Sequence, residues 1–386
     1  MAKTRAALPI VPAAEVRNSR PMGRWRALSL LVVHLLVAAH VAHYLASGRT
    51  LSPLEPSETG QTLSTGVVNA GALCFALLIA STLIFGRFFC GWACHLVAYQ
   101  DLARWLMLKA GIRPPRPLRS RLLPLVPLFA VYWLFGRPLL ANWRSGPPRP
   151  SWDLASTDLW ATFPGPLMTA ATVFFCGLLI VYVLGAKGFC TYACPYGAFF
   201  AAADRLAPGR IRVTDDCTSC GVCTTVCSSN VQVAREVHLY GMVTDPGCMK
   251  CLDCVSHCPS NALLYGFRET RAASKRPKKA KRQPRQYDLS WSEELFLGGV
   301  FALSFAIWFN LHRSVPFLLS VGLAAMTAFL ALVAARLATA PTADVANLAL
   351  KRQGRLLPAG RGFAAAVAVL GLFLAYGAWV QWHTHR

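Results

Sequence analysis

The chain is poor in charged residues, and in acidic residues above all. Only 15% of its 386 residues are Asp, Glu, Lys or Arg, whereas 55% are hydrophobic. The 17 acidic residues stand against 39 basic ones, so the net charge is +22. Soluble domains carry about 25% charged residues, so this composition is typical of a membrane protein and does not fit a disordered chain. Fourteen Cys in so long a chain also disfavour a secreted disulfide scaffold.

Two kinds of catalytic signal are missing from the sequence as well. It contains no glycine-rich phosphate loop and no nucleophile with a paired base. Hydrolytic and nucleotide-driven chemistry are therefore disfavoured.

Long apolar runs are what the sequence has in plenty. A helix needs roughly 17–25 apolar residues to cross a bilayer, and about seven runs meet or approach that length. The third contains Pro124 and Pro127, and the fifth is short. The predicted spans are Trp25–Leu45, Gly66–Gly86, Leu122–Leu140, Pro166–Ala186, Leu295–Leu311, Val315–Ala335 and Gly362–Trp382.

Basic residues are distributed unequally between the segments that join these runs. Alternate segments, beginning with the N-terminus, hold 33 of the 39 Lys and Arg residues. Because basic loops stay in the cytoplasm, we expect the N-terminus inside, the C-terminus outside and the protein in the cell inner membrane. The first run is interpreted as a retained anchor. This distribution explains the net charge without nucleic acid, and the basic linker 269–290 is expected to contact anionic lipid.

Two segments repeat one another at an offset of 100 residues. Both hold a C-x3-C pair at the cytoplasmic end of a predicted span, Cys90 and Cys94 in the first and Cys190 and Cys194 in the second. The aligned positions are Arg87, Phe89, Trp92, Ala93 and Ala98 in the first copy and Lys187, Phe189, Tyr192, Ala193 and Ala198 in the second. The first four spans are therefore predicted to be a duplicated hairpin in one orientation.

Eight further Cys form two dense runs between the fourth and fifth spans. Three thiolates at C-x2-C-x2-C spacing can hold one corner each of an iron–sulfur cube, and the fourth Cys of each run ligates the other cluster. We therefore predict two [4Fe–4S] clusters rather than structural zinc, which more often takes paired C-x2-C units at a distance. The first cluster is assigned to Cys217, Cys220, Cys223 and Cys258, and the second to Cys248, Cys251, Cys254 and Cys227.

These features predict a mainly α protein, a polytopic membrane helix bundle that carries a small α+β ferredoxin insert. The predicted domains are a cytoplasmic tail (1–24), a four-helix membrane region (25–205), a cytoplasmic domain with two [4Fe–4S] clusters (208–268), the basic linker (269–290) and a three-helix membrane region (291–386).

The order of motifs over roughly residues 66–268 resembles the membrane polyferredoxins typified by NapH, the C-terminal half of NosR, and CcoG. The resemblance implies transfer of single electrons between a quinol or cytoplasmic donor and a membrane or periplasmic partner. The alternative that it implies is copper reduction and delivery for oxidase assembly. In two places the chain departs from the pattern, with His95 and Ser228 where Pro is usual. The flavin domain of NosR and the periplasmic domain of CcoG are not expected here. An electron-transfer subunit is favoured over a stand-alone enzyme.

The C-x3-C pairs and the histidines leave alternatives open. If each pair is helical, its sulfurs share one face. Three functions are then open: a further metal centre, a redox dithiol relay, or copper binding together with His95, in each case at Cys90, Cys94, Cys190 and Cys194. The alternative without a function is that these Cys are simply packed in the protein interior. A quinone is another candidate cofactor. Among the outer-face histidines, His40 and His43 lie three residues apart and are candidates for a haem or quinol site. The others on that face are His312, His383 and His385.

Overall fold

The computed structural model describes residues 22–146, 150–162, 165–269, 271, 287–310, 315–345 and 348–384. Helices account for 64% of the structure, which confirms the mainly α prediction. The chain forms two compact units, and each is described by itself. The first comprises the described residues of Met1–Ala98, Ala141–Leu159 and Tyr196–Pro284, and the second those of Tyr99–Leu140, Trp160–Pro195 and Arg285–Arg386. These units are not the domains predicted from the sequence, and the bounds of those domains stay a prediction.

Within the described residues, six helices are long and apolar enough to cross a bilayer. They are Met22–Ser47, Leu125–Asn142, Pro166–Leu184, Trp291–Phe309, Phe317–Thr339 and Pro358–His383. The first and last expose large apolar side chains, such as Leu36 and Leu372, as helices do when lipid surrounds them. The chain is accordingly a multi-pass membrane protein, and its helices are close in number to the predicted spans.

The predicted span Gly66–Gly86 is shorter in the structure, where the helix is Ala70–Phe85 with 16 residues. Val67 and Val68 pair as a strand instead. The Asn69 side chain then caps the helix by accepting the Ala72 N–H at 2.9 Å. The prolines of the third span are tolerated because Pro124 precedes the helix and Pro127 lies in its first turn, where the N–H groups have no partner within the helix.

The remaining helices are shorter than these six. In chain order the helices are α1 (Met22–Ser47), α2 (Glu58–Thr65), α3 (Ala70–Phe85), α4 (Phe88–Trp92), α5 (His95–Lys109), α6 (Leu125–Val131), α7 (Arg137–Ser145), α8 (Pro166–Thr172), α9 (Ile180–Leu184), α10 (Gly188–Tyr192), α11 (Pro195–Asp204), α12 (Val222–Thr225), α13 (Val233–Tyr240), α14 (Asp253–Ser256), α15 (Trp291–Asn310), α16 (Phe317–Thr339) and α17 (Pro358–Thr384). π-Helical turns, Tyr132–Gly136 and Val173–Leu179, join α6 to α7 and α8 to α9, and Leu159–Thr162 is a 3₁₀ turn.

The strands are few and form small sheets. They are β1 (Thr50–Leu51), β2 (Val67–Val68), β3 (Ser151–Trp152), β4 (Ala155–Ser156), β5 (Arg210–Val213), β6 (Leu263–Gly266), β7 (Ala343–Val345), β8 (Leu348–Arg352) and β9 (Arg355–Leu356). In the first unit β1 pairs antiparallel with β4 and β2 parallel with β3. In the second unit β7, β8 and β9 form one antiparallel sheet.

The cysteine-rich insert is built around one antiparallel strand pair. β5 and β6 pair from Arg210↔Gly266 to Val213↔Leu263, and this pairing closes the ends of the insert. Its core contains the buried side chains Ile211, Val213, Val222, Val231, Val233, Val243, Ala262 and Leu263, together with several of the Cys residues. The insert is thus the small α+β unit that the sequence predicted.

Candidate iron–sulfur centres

The two cysteine runs lie on loops that reverse direction within a few residues. Ser219 and Gly221 in the first run, and Lys250 and Leu252 in the second, all have positive φ between 51° and 78°. A left-handed residue turns the backbone sharply, so three thiols of one run can face a common point. Each third Cys lies on a short helix, Cys223 on α12 and Cys254 on α14.

The thiols of the insert form two interleaved sets. Burial, and then the charges of Cys220, Cys217 and Cys258, raise the pKa of Cys223 to about 12. Burial likewise raises the pKa of Cys227 to about 12, with contributions from Cys251 and Cys248. The fourth Cys of each run thus shares its surroundings with the other run. This is the grouping on which the predicted ligand assignment depends, and the assignment itself stays a prediction.

The deepest thiol is that of Cys254. Burial holds its pKa well above the usual range, and the charges of Cys248, Cys251, Cys227 and Cys223 add to this effect. Since the thiolate is the form that ligates metal, such a site ionises when a bound metal supplies compensating charge, and metal binding releases protons.

Eight convergent thiols suit iron chemistry with sulfide bridges. In the described part of the chain no three His, Cys, Asp or Glu side chains could hold a metal ion as they stand. A cube of four irons spaces its thiolates more widely than a single ion does. The interleaved sets are the donors that a pair of such cubes requires.

The two runs of Cys differ in their surroundings. Residues 215–219 are exposed, and Cys217 with them. Cys248, Cys251, Cys254 and Cys258 are all buried. The second run is therefore closed from water along its length, whereas the first is open at one end.

The second loop packs against the first C-x3-C segment. The Trp92 indole N–H donates to the Lys250 carbonyl at 2.9 Å, and the Arg87 guanidinium donates to the Pro246 carbonyl at 3.0 Å. A Cβ at Gly91 would lie 2.3 Å from the Met249 carbonyl. Only glycine therefore allows the backbone next to Cys90 to approach the loop this closely.

Helix α1 fastens the same loop from another side. Arg26 forms an ion pair with Asp253 at 2.7 Å, and both side chains are at most 15% exposed. The other carboxylate oxygen of Asp253 lies 3.4 Å from the Cys251 sulfur. Ser228, which stands where the ferredoxin pattern has Pro, donates to that oxygen at 3.3 Å. The departure from the pattern thus supplies a hydroxyl contact that Pro could not make.

A buried ion pair completes the surroundings of the second loop. The Lys250 ammonium lies 2.8 Å from an Asp204 carboxylate oxygen, and neither side chain is exposed. Asp204 also accepts the Arg87 backbone N–H at 2.9 Å. Removing one member of such a pair leaves a buried charge uncompensated, at a cost of about 3–5 kcal/mol. Sequence reasoning missed this pair, although a Lys inside a C-x2-C spacing was a visible signal.

The C-x3-C segments are not continuous helices, which corrects the helical premise. α4 and α10 end at Trp92 and Tyr192, and the next residues, Ala93 and Ala193, have φ of −134° and −123°. The new helices α5 and α11 begin directly after Cys94 and Cys194. The second Cys of each pair therefore lies directly before a new helix. The i, i+4 argument for a shared face does not apply.

The two pairs belong to different units. In the first unit Cys90 is buried and Cys94 half-buried. In the second, the Gln100 side-chain N–H donates to the Cys190 sulfur at 3.2 Å, and its carbonyl oxygen accepts the Phe189 N–H at 3.1 Å. A further metal centre, a dithiol relay and a copper site at these pairs stay predictions.

The histidines chiefly fix local structure. His40 contacts the Leu51 carbonyl at 3.0 Å and His43 the Thr50 hydroxyl at 3.1 Å, so both rings hold the end of α1 to β1. His95 lies 4.0 Å from Glu55, and the His383 ring packs on Trp379. His312, His385 and most of the basic linker lie outside the described residues.

Comparisons with known proteins agree with this geometry. A family model described as a 4Fe-4S binding domain matches residues 69–113 and again 167–214, which are the two repeat copies. A 4Fe-4S dicluster domain matches residues 209–259, the insert with both cysteine runs. No solved structure matches the chain.

Curated relatives match about 42–57% of the chain. The methylamine utilization ferredoxin-type protein MauN of Methylorubrum extorquens is 30% identical over 184 residues, which are 44% of this chain and 58% of the relative. The ferredoxin-type protein NapH of Escherichia coli is 28% identical over 235 residues, 57% of this chain and 76% of the relative.

The regulatory protein NosR of Stutzerimonas stutzeri is 27% identical over 184 residues, 45% of this chain and 24% of the relative. The chain spans about 55–62% of the length of the MauN relatives that it matches. With its iron–sulfur domains and membrane helices, the chain is similar to the ferredoxin-type membrane proteins NapH, MauN and NosR.

Proposed function

We propose that this chain is a membrane-anchored electron-transfer protein that relays single electrons between a quinol or cytoplasmic donor and a membrane or periplasmic redox partner. The observation that carries the proposal is the pair of interleaved thiol sets, one of which opens to water while the other packs on a membrane-adjacent segment. Two [4Fe–4S] clusters would supply one-electron chemistry at these thiols.

The residues around the thiols support this role because they leave the first set exposed at one edge and pack the second loop against the first C-x3-C segment. Exposed Asp215, Asp216 and Cys217 leave an edge of the first set open to a partner in water. Gly91 and Trp92 bring the first C-x3-C segment against the second loop. Cys90 adjoins Gly91 on that segment, which makes its thiol a candidate member of a dithiol relay.

The proposed orientation follows from charge. The insert and the N-terminus lie in the cytoplasm and the C-terminus outside, because 33 of 39 basic residues fall on the insert's side of the predicted spans. Electrons that arrive at the insert would then pass toward the membrane interior. The donor and acceptor are proposed only as redox proteins or a quinol.

The test is electron transfer across a sealed vesicle. The full-length protein is inserted anaerobically with the insert outward, cytochrome c is trapped inside, and a photoreduced deazaflavin supplies electrons outside. We expect reduction of cytochrome c, read at 550 nm, at least tenfold faster than in protein-free vesicles. Cys217→Ser and Cys248→Ser should each remove that excess. A wild-type rate equal to the protein-free rate would contradict the proposal.

A further inference from the structure

The residue before the second Cys is of opposite character in the two ligand loops. Ser219 occupies it in the first loop and Lys250 in the second, and both residues are left-handed, with φ of 57° and 51°. Ser219 is exposed, whereas Lys250 has no exposed surface. The same backbone turn therefore places a neutral hydroxyl in water in one loop and a cation in the protein interior in the other.

The Lys250 ammonium is held inside the second loop. Its nitrogen donates to the Cys248 carbonyl at 3.4 Å and pairs with Asp204 at 2.8 Å. Gly86 makes room for it, since a Cβ there would lie 2.7 Å from Lys250 Cε and 2.5 Å from the Asp204 carboxylate. With φ of +67° at Gly86, the turn after α3 is built around the pair.

Two ion pairs lie beside the second loop. Arg26 offsets Asp253, which lies beside the Cys251 sulfur. Lys250 offsets Asp204, and the Arg87 guanidinium donates to the Pro246 carbonyl of the same loop. Around the first loop the nearby charges are exposed Asp215 and Asp216, with Arg271 at 3.8 Å from Asp215.

Burial and charge act in opposite directions on the second site. A one-electron reduction adds a negative charge to a cluster and its thiolates, and a dry site disfavours that charge. Burial alone would therefore make a cluster at the second set of thiols the harder of the two to reduce. A cation in the same dry region favours the reduced state, because charge interactions are strong where water is excluded.

We propose that Lys250 raises the redox potential of a cluster held by Cys248, Cys251, Cys254 and Cys227, and that it acts as a positioning residue in this sense. The buried site can then accept an electron from the exposed first site. In that step the first site loses one electron, the second gains it, and no proton or bond changes. The inference rests on the proposed function, and it adds the order of the two sites.

The test is a mediated redox titration of the full-length protein, followed by electron paramagnetic resonance. The two signals are told apart with Cys217→Ser, which should remove that of the exposed first site. Lys250→Met should lower the reduced-to-oxidised ratio of the second site at a fixed potential by at least tenfold, or 59 mV for one electron. Lys250→Arg, which keeps the charge, should change the ratio less than threefold.

Asp204→Asn separates an electrostatic role from a structural one. This substitution keeps an oxygen to accept the Arg87 N–H but removes the anion. The reduced-to-oxidised ratio of the second site at a fixed potential should therefore rise at least threefold. A purely structural pair would make Lys250→Met and Asp204→Asn alike, because each breaks the same contact. Shifts in the same direction, or both below threefold, would overturn the inference.

Three further outcomes can be told apart. If Lys250→Met loses iron during purification, the sign of the shift in Asp204→Asn decides the inference alone. If the wild-type protein shows no iron–sulfur signals at all, it is the proposed function that fails. If both signals are present and Lys250 has no effect on them, the proposed function stands and only this inference is lost.

Discussion

The two cysteine loops of the insert, 217–223 and 248–254, share their ligand spacing but differ in nearly everything around it. The first borders an exposed stretch with two Asp residues. The second is buried and is held by Arg26, Trp92 and Lys250. Ligand spacing therefore determines what a loop can bind, whereas the contacts around it determine what can reach the site and how stable it is. Four predictions follow this difference, from the largest expected effect to the smallest.

Replacing one ligand in each loop should have unequal consequences. Cys254→Ser changes a thiol in the buried core of the insert, so we expect loss of the second cluster together with destabilisation of the insert. Cys217→Ser changes an exposed thiol and should lower iron from about eight atoms to about four with the fold retained. Iron content and limited proteolysis measure the two effects. Equal losses of iron and of protease resistance would contradict the comparison.

Adding a side chain at Gly91 should separate the second loop from the first C-x3-C segment. A Cβ would meet the Met249 carbonyl, which is backbone and cannot rotate away. We expect Gly91→Ala to cost about 1–3 kcal/mol, seen as a lower apparent melting temperature in detergent and a changed second-site spectrum. Gly23→Ala is the matched control, since nothing lies within 4 Å of that position. Identical melting of the two variants would show that the close approach is unimportant.

Arg26→Met should loosen α1 from the second loop and leave the first loop unchanged. The ion pair with Asp253 is largely buried, and hydrogen bonds to charged groups contribute about 1.5–3 kcal/mol. Faster hydrogen exchange at residues 251–256 than in wild type would measure the loss. Arg24→Met, at an exposed position of the same helix, should exchange as wild type does. Protection of 251–256 that is unchanged in Arg26→Met would rule out the anchoring role.

The smallest predicted effect is a pH dependence at Tyr265. Burial, and then the charge of Asp204, raises the pKa of Tyr265 to about 12, and its hydroxyl donates to the Phe85 carbonyl at 2.9 Å. The unfolded phenol ionises near pH 10, so the contribution of Tyr265 is present below pH 10 and is lost as pH rises toward 12. Denaturant midpoints between pH 9 and 11 should therefore fall more steeply in wild type than in Tyr265→Phe. Parallel slopes would contradict this.

Much of the fold was predictable because membrane spans and cysteine spacing are strong local signals. The run Gly66–Gly86 became a shorter helix because Asn69 caps it and Val67–Val68 pairs as a strand, and hydropathy does not report caps. The repeat was visible at an offset of 100 residues, but the break at Ala93 was not, since C-x3-C spacing is compatible with a straight helix.

The charged contacts of the second loop could not be predicted. Lys250 and Asp204 are 46 positions apart in a sequence where Asp204 ends an apolar segment, and no local pattern pairs them. Arg26 was visible as a charge at the start of a predicted span. Its partner Asp253 is 227 residues away, so only the folded chain identifies it.

The most direct test of the central claim is the iron and acid-labile sulfide content of anaerobically purified full-length protein, with paramagnetic spectra of the same sample. The interleaved thiol sets predict about eight irons and eight sulfides per chain, with two reducible [4Fe–4S] signals. Zinc without sulfide, or about four irons with a single signal, would contradict the account.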